Sequence, residues 1–158
     1  MARWTETWLT GIGSDGSEAP PRWPGEKLGL AESGVGSVAG GFRRFAGFLA
    51  DLIAASLVTA LFLRPDFGDV EVMRSFNSAA VLVWIALTVP AAAFFGFTPG
   101  MALAGIRVAR LDGGVMVGLW RAVVRCALTV LVIPAAVRNV DNRGWHDRAT
   151  GTVVVRMR

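Results

Sequence analysis

Two long apolar stretches limit what this chain can fold into. The first runs from Phe45 to Leu63 and the second from Ser78 to Phe97. As helices rising about 1.5 Å per residue, each reaches roughly 28–30 Å, close to the hydrocarbon thickness of a bilayer. The first carries one charge, Asp51, and stops at Arg64-Pro65. The second carries none; Pro90 is expected to kink it, and Thr98-Pro99-Gly100 to break it. Composition points the same way: charged residues make up 18% of the chain, against about 25% in an ordinary soluble domain. The expected fold class is an all-α membrane protein with two transmembrane helices and a third apolar segment, decorated by short strands at the membrane surface.

The third segment, 120–140, differs from the first two. Arg121 and Arg125 sit four apart near its start, Pro134 lies in its second half, and the uninterrupted apolar run is only Cys126 to Val137. Runs of that length are more often re-entrant or buried than spanning, so a re-entrant segment is expected, with a full third span as the alternative. On either side of it lie two strand candidates, 106–111 and 152–156, where β-branched residues cluster; Asp112-Gly113-Gly114 supplies a turn after the first. The strands can pair only if both lie on the same side of the membrane. The loop 64–77 holds two arginines and three acids, while the other fourteen basic residues precede the first span or follow the second. The positive-inside rule then places the N-terminus, Asp112 and the C-terminus in the cytoplasm, with Asp69 outside.

Residues 1–41, rich in Gly, Ser, Pro and Glu, read as a flexible tail that cannot bury enough apolar surface to offset its ordering entropy. Trp4, Trp8 and Leu9 share a helical face but are read as a frayed terminus. No signal peptide is expected, because no apolar core follows Arg3 and Glu6. The membrane domain is expected over 42–156. With one cysteine and one histidine in the chain, neither a disulfide framework nor a zinc site is expected. Cys126 reads as a packing residue. No phosphate-binding glycine motif or nucleophile elbow occurs, so no enzyme activity and no cofactor are expected. Fifteen arginines and one lysine flank apolar runs, which favours a bilayer over nucleic acid as partner.

Asp51 is the principal candidate residue. A carboxylate within a span normally faces the protein interior and is paired or hydrated. Arg44, about 10 Å of rise away on the same helix, is too far for contact, so Arg121 and Arg125 are the expected partners. Asp51 is then either a proton or cation site or half of a structural ion pair. His146-Asp147-Arg148 reads as a polar turn after Gly144, in which His146 could gate or relay protons and Asp147 holds the turn that launches the last strand.

Three stretches carry a family resemblance: F-R-R-F-A-G-F-L-A-D (42–51), F-T-P-G-M-A-L-A-G-I-R-V-A-R-L-D-G-G (97–114) and G-W-H-D-R-A-T-G-T-V-V-V (144–155). With these the chain resembles the RDD family of bacterial membrane proteins, named for one arginine and two aspartates. The resemblance implies that Arg44 is the arginine, Asp51 the first aspartate, and Asp147 the second, with Asp141 as the alternative. It also implies a multi-pass protein of the bacterial cytoplasmic membrane. The near absence of lysine, with much Ala, Val and Gly, suits a GC-rich bacterial genome. The expected role is an accessory or scaffold subunit that packs against other membrane-protein subunits. The alternatives are a homo-oligomeric transporter of protons, cations or a small ligand using Asp51, and an anchor recruiting a cytoplasmic partner through the N-terminal tail.

Overall fold

The computed structural model describes residues 21–114, 116–131 and 143–158. They form a mostly helical chain with one small antiparallel sheet. Among the described residues, five helices and two strands follow a single turn of 3-10 helix at Glu26–Leu28: α1 (Gly41–Ala60), α2 (Val70–Phe95), α3 (Pro99–Ala104), β1 (Ile106–Arg110), α4 (Leu119–Val130), α5 (Trp145–Ala149) and β2 (Thr152–Arg156).

The buried positions of α1 are Gly47, Asp51, Ala55 and Thr59. They recur every fourth residue, so a stripe of small and polar side chains faces the protein while Leu49, Ile53 and Leu57 face outward. The stripe lets α3 come close. A Cβ on Gly47 would lie 3.3 Å from the Gly100 carbonyl oxygen, and one on Gly100 only 2.1 Å from the Gly47 oxygen. The two backbones touch where neither residue has a side chain. Phe48 packs its ring edge-on against Trp84 of α2, with centroids 5.9 Å apart.

Helix α2 begins eight residues before the apolar stretch read as the second span. Asp69 caps it, its carboxylate accepting from the Glu71 and Val72 N–H groups at 2.8 and 3.1 Å. The acidic loop is therefore shorter than 64–77, because the polar residues Glu71, Arg74 and Asn77 extend the helix rather than precede it. Gly96, at φ 75°, ends it in the left-handed conformation. Helix α1 likewise stops at Ala60, before Leu63. Among the described residues α2 alone is long and apolar enough to cross a membrane, and 28% of its most apolar stretch is buried. Arg43, Arg44 and Asp51 lie within the twenty residues of α1, which leaves it a shorter apolar run than expected.

Thr98-Pro99-Gly100 breaks the chain as expected and also starts a helix, α3, absent from the sequence expectation. The Thr98 hydroxyl accepts from Met101 N–H at 3.1 Å, and Pro99 occupies the first turn, where its missing N–H costs nothing. The expected strands pair antiparallel, with Ile106 opposite Arg156 and Arg110 opposite Thr152. Leu111 lies just beyond β1, though its N–H still reaches the Gly151 carbonyl at 3.1 Å.

The second edge of β2 is taken by a segment assigned to the tail. Ala39 N–H donates to Val154 O (2.8 Å), Arg156 N–H to Ser37 O (2.9 Å) and Gly36 N–H to Arg156 O (2.9 Å). Ala39 is fully buried with Ile106, Val108, Val117 and Val154. Residues 36–39 are therefore part of the fold: an open strand edge offers hydrogen bonds that offset the ordering entropy. With partners on both edges, β2 buries Val153, Val154 and Val155 in succession. Helix α4 packs Ala122 against Val89, Ala92 and Ala93 of α2, with Cys126 half-buried beside them. Of the third apolar segment, 132–140 lies outside the described residues.

Candidate functional site

Asp147, on the one-turn helix α5, is fully buried. A carboxylate out of water must be neutralised and hydrogen-bonded. Two guanidiniums do this. Arg44, from the first turn of α1, donates from Nη1 to Oδ2 at 2.6 Å. Arg125 of α4 donates from Nη1 to Oδ1 and also to the Thr152 hydroxyl, the latter at 2.6 Å. His146 Nε2 lies 3.4 Å from Oδ1. Burial alone would raise the Asp147 pKa, but the nearby charges of Arg125, Arg44 and His146 outweigh it and hold the carboxyl well below its usual range. Arg44 also donates to the Ala39 carbonyl at 3.0 Å, while Arg143 reaches the carbonyls of Thr152 (3.1 Å) and Asp147 (3.3 Å). One carboxylate thus ties α1, α4, α5 and the sheet together. The sequence reading of Asp147 as the holder of a local turn was too narrow.

Asp51 is also buried, but its partners are not the arginines expected. Its Oδ2 accepts from the Thr98 hydroxyl at 2.5 Å and its Oδ1 from Gly100 N–H at 2.7 Å. It clamps α1 onto the first turn of α3, using the capping hydroxyl of Thr98 and the Gly100 N–H that the helix start leaves unpaired. Both expected partners are engaged elsewhere. Arg125 holds Asp147, and Arg121 donates to Asp112 at 3.2 Å and to the Thr150 carbonyl at 3.0 Å. Asp112 is also gripped by Arg110 at 2.6 and 2.5 Å. These hydrogen bonds and charges hold the exposed Asp112 carboxyl well below its usual range and fix the turn after β1.

Arg44 and Asp147 are therefore brought together, while Asp51 stands apart from both. Asp141 lies outside the described residues. Sequence reasoning missed Thr98, Gly100, Thr152 and Arg143; a helix-start signal, Thr followed by Pro, marked the first two. Both carboxylate clusters border a cavity of about 280 Å³ between α1, α2 and α4. Arg44, Arg125, His146, Asp51 and Thr98 give it polar edges, and Phe45, Phe48, Trp84, Val89, Ala92 and Ala122 apolar walls. Among the described residues no group of three or more His, Cys, Asp or Glu side chains is placed to hold a metal. Compared with known proteins, the chain matches no family model, no curated protein and no solved structure.

Proposed function

We propose that the chain is an RDD-type protein of the bacterial cytoplasmic membrane, acting as an accessory or scaffold subunit of a larger membrane assembly. The observation that carries this reading is that the two buried carboxylates among the described residues both serve to join elements. Asp51 accepts a hydrogen bond on each oxygen, and Asp147 accepts an arginine on each. Each therefore has a structural role that needs no transported ion, which favours the accessory reading over transport through Asp51. The outer surface is apolar: Leu57, Phe94, Phe95, Trp120 and Leu131 are all exposed, which suits lipid and neighbouring subunits. A core helix of a soluble protein would bury far more of its surface than α2 does.

The test is purification of the tagged full-length chain in mild detergent. Distinct membrane subunits are expected to comigrate at fixed stoichiometry through size exclusion and native electrophoresis. A pure homo-oligomer that conducts protons or cations in vesicles would overturn the accessory reading in favour of transport.

The proposed topology has two spans and a third segment that returns to its side of departure. The sheet supports it. Strand β2 pairs on one edge with residues 36–39, just before α1, and on the other with β1, just after α2 and α3. The start of α1, the end of α2 and the C-terminus then share a side, and the Asp69 cap lies at the far end. Reporter fusions are expected to place Asp69 outside and both Asp112 and Arg158 in the cytoplasm. An external signal at Arg158 would sink this arrangement and call for three spans.

A further inference from the structure

Two side chains that border the cavity between α1, α2 and α4 carry donors without a partner among the described residues: the guanidinium of Arg125 and the buried indole N–H of Trp84. Arg125 is 6% exposed, yet its hydrogen bonds to Asp147 and Thr152 all leave from Nη1. Its Nε and Nη2 have no partner among the described residues. Those two nitrogens form one flat edge of the guanidinium, with parallel N–H bonds matched to the two oxygens of a carboxylate or phosphate. Trp84, also 6% exposed, has a buried Nε1–H with no hydrogen-bond partner among the described residues. Unpaired buried donors are rare in native proteins and call for an acceptor. Charge agrees, since Asp147 is one anion shared by two guanidiniums. Asp51 borders the cavity too, where its oxygens accept hydrogen bonds from Thr98 and Gly100.

We propose that this cavity binds a single-chain anionic amphiphile. Its acidic head lies on the Nε/Nη2 edge of Arg125, an acceptor meets Trp84 Nε1, and its apolar body runs along Phe48 and Ala92. At about 280 Å³ the space is close to the lower end of small-ligand pockets, about 300 Å³. It suits an acid head and part of one chain rather than a two-chain lipid. The proposal goes beyond the accessory role and rests only on the membrane-embedded part of that reading.

Quenching of tryptophan fluorescence in the detergent-purified full-length protein tests it, with dibromostearate as probe and dibromostearyl alcohol as its neutral counterpart. The acid is expected to give a saturable quenching component that disappears in Trp84→Phe. The alcohol should need about tenfold more probe, the loss of one charge-assisted contact. Arg125→Lys keeps a cation on Asp147 but loses the flat edge, and is expected to weaken the acid by a similar factor. Ala92→Leu fills the cavity without touching the ion cluster and should abolish the saturable component; it decides the matter if Arg125→Lys does not fold. Equal quenching by acid and alcohol, or a component that persists in folded Ala92→Leu, overturns the proposal. Displacement of the probe by inorganic phosphate alone would overturn the amphiphile and leave a simple anion site. Retention in the membrane fraction under alkaline carbonate is scored on the same cells, so failure of the membrane reading is seen separately.

Discussion

Asp147→Asn is expected to destabilise the protein by about 3–5 kcal/mol, the cost of removing one partner from a buried ion pair. The substitution is nearly isosteric, so the loss is electrostatic: Arg44 and Arg125 remain in place with no carboxylate between them. The amide can accept on one oxygen only, and its NH2 group points a donor at a guanidinium. Asp51→Asn is expected to cost far less, about 1 kcal/mol, because no buried cation loses its partner and the amide oxygen can still accept from Gly100 N–H. Thermal unfolding of the two variants in detergent, read by the yield of monodisperse protein, compares them directly. Equal losses would show that Asp51, too, neutralises a cation. Acid should act on the same site. The folded-state pKa of Asp147 is depressed, so its contribution is fully present above the unfolded value, about 3.9. It is lost as pH falls below that value toward the folded pKa. Wild type is therefore expected to lose stability as pH drops through the carboxylate range, and Asp147→Asn to lose less over the same interval.

Gly100→Ala should have the second largest effect, on the order of 3 kcal/mol, the upper part of the usual range for overpacking. The new methyl would sit 2.1 Å from the Gly47 carbonyl oxygen and 2.8 Å from the Asp51 carboxyl carbon. Both neighbours belong to a helix that cannot yield locally, so α3 must move away from α1. That movement would stretch the bonds from Gly100 N–H and Thr98 to Asp51. Gly47→Ala provides the control. Its methyl would find the Gly100 oxygen at 3.3 Å, a tight contact that a small shift relieves, and it should cost about 1 kcal/mol. If the two alanines destabilise equally, α1 and α3 do not pack in the way described.

The legible parts of this fold were local. Hydrophobic runs marked the bodies of α1 and α2, β-branched clusters marked β1 and β2, and Asp112-Gly113-Gly114 marked a turn, because each depends on residues adjacent in the chain. The errors at element ends have a local cause too. The start of α2 was read as loop because Glu71 and Arg74 are polar, but polarity reports exposure rather than backbone conformation, and the Asp69 cap sets the boundary. The tail reading failed at 36–39 because composition measures how much apolar surface a segment can bury, not whether a strand edge elsewhere needs its N–H groups.

The site is where tertiary structure decided. A lone carboxylate in an apolar run implied that Asp51 must face inward, and it does. Spacing could not show which element would meet it. Arg125 was a sound candidate partner by charge, yet it went to Asp147, 22 positions along the chain, while Arg44 reached the same carboxylate across 103 positions. A buried carboxylate needs its charge or lone pairs satisfied but does not specify by whom. For Asp51 the helix-start donors at Thr98 and Gly100 answered, because Gly47 and Gly100 let α1 and α3 come into backbone contact. The sequence by itself determined which segments are apolar, which turn, and which charged residues must find company inside. Only the packing of α1 against α3, and of both against the sheet, decided which partners lay within hydrogen-bonding distance, since that distance is set by backbone approach between segments remote in sequence.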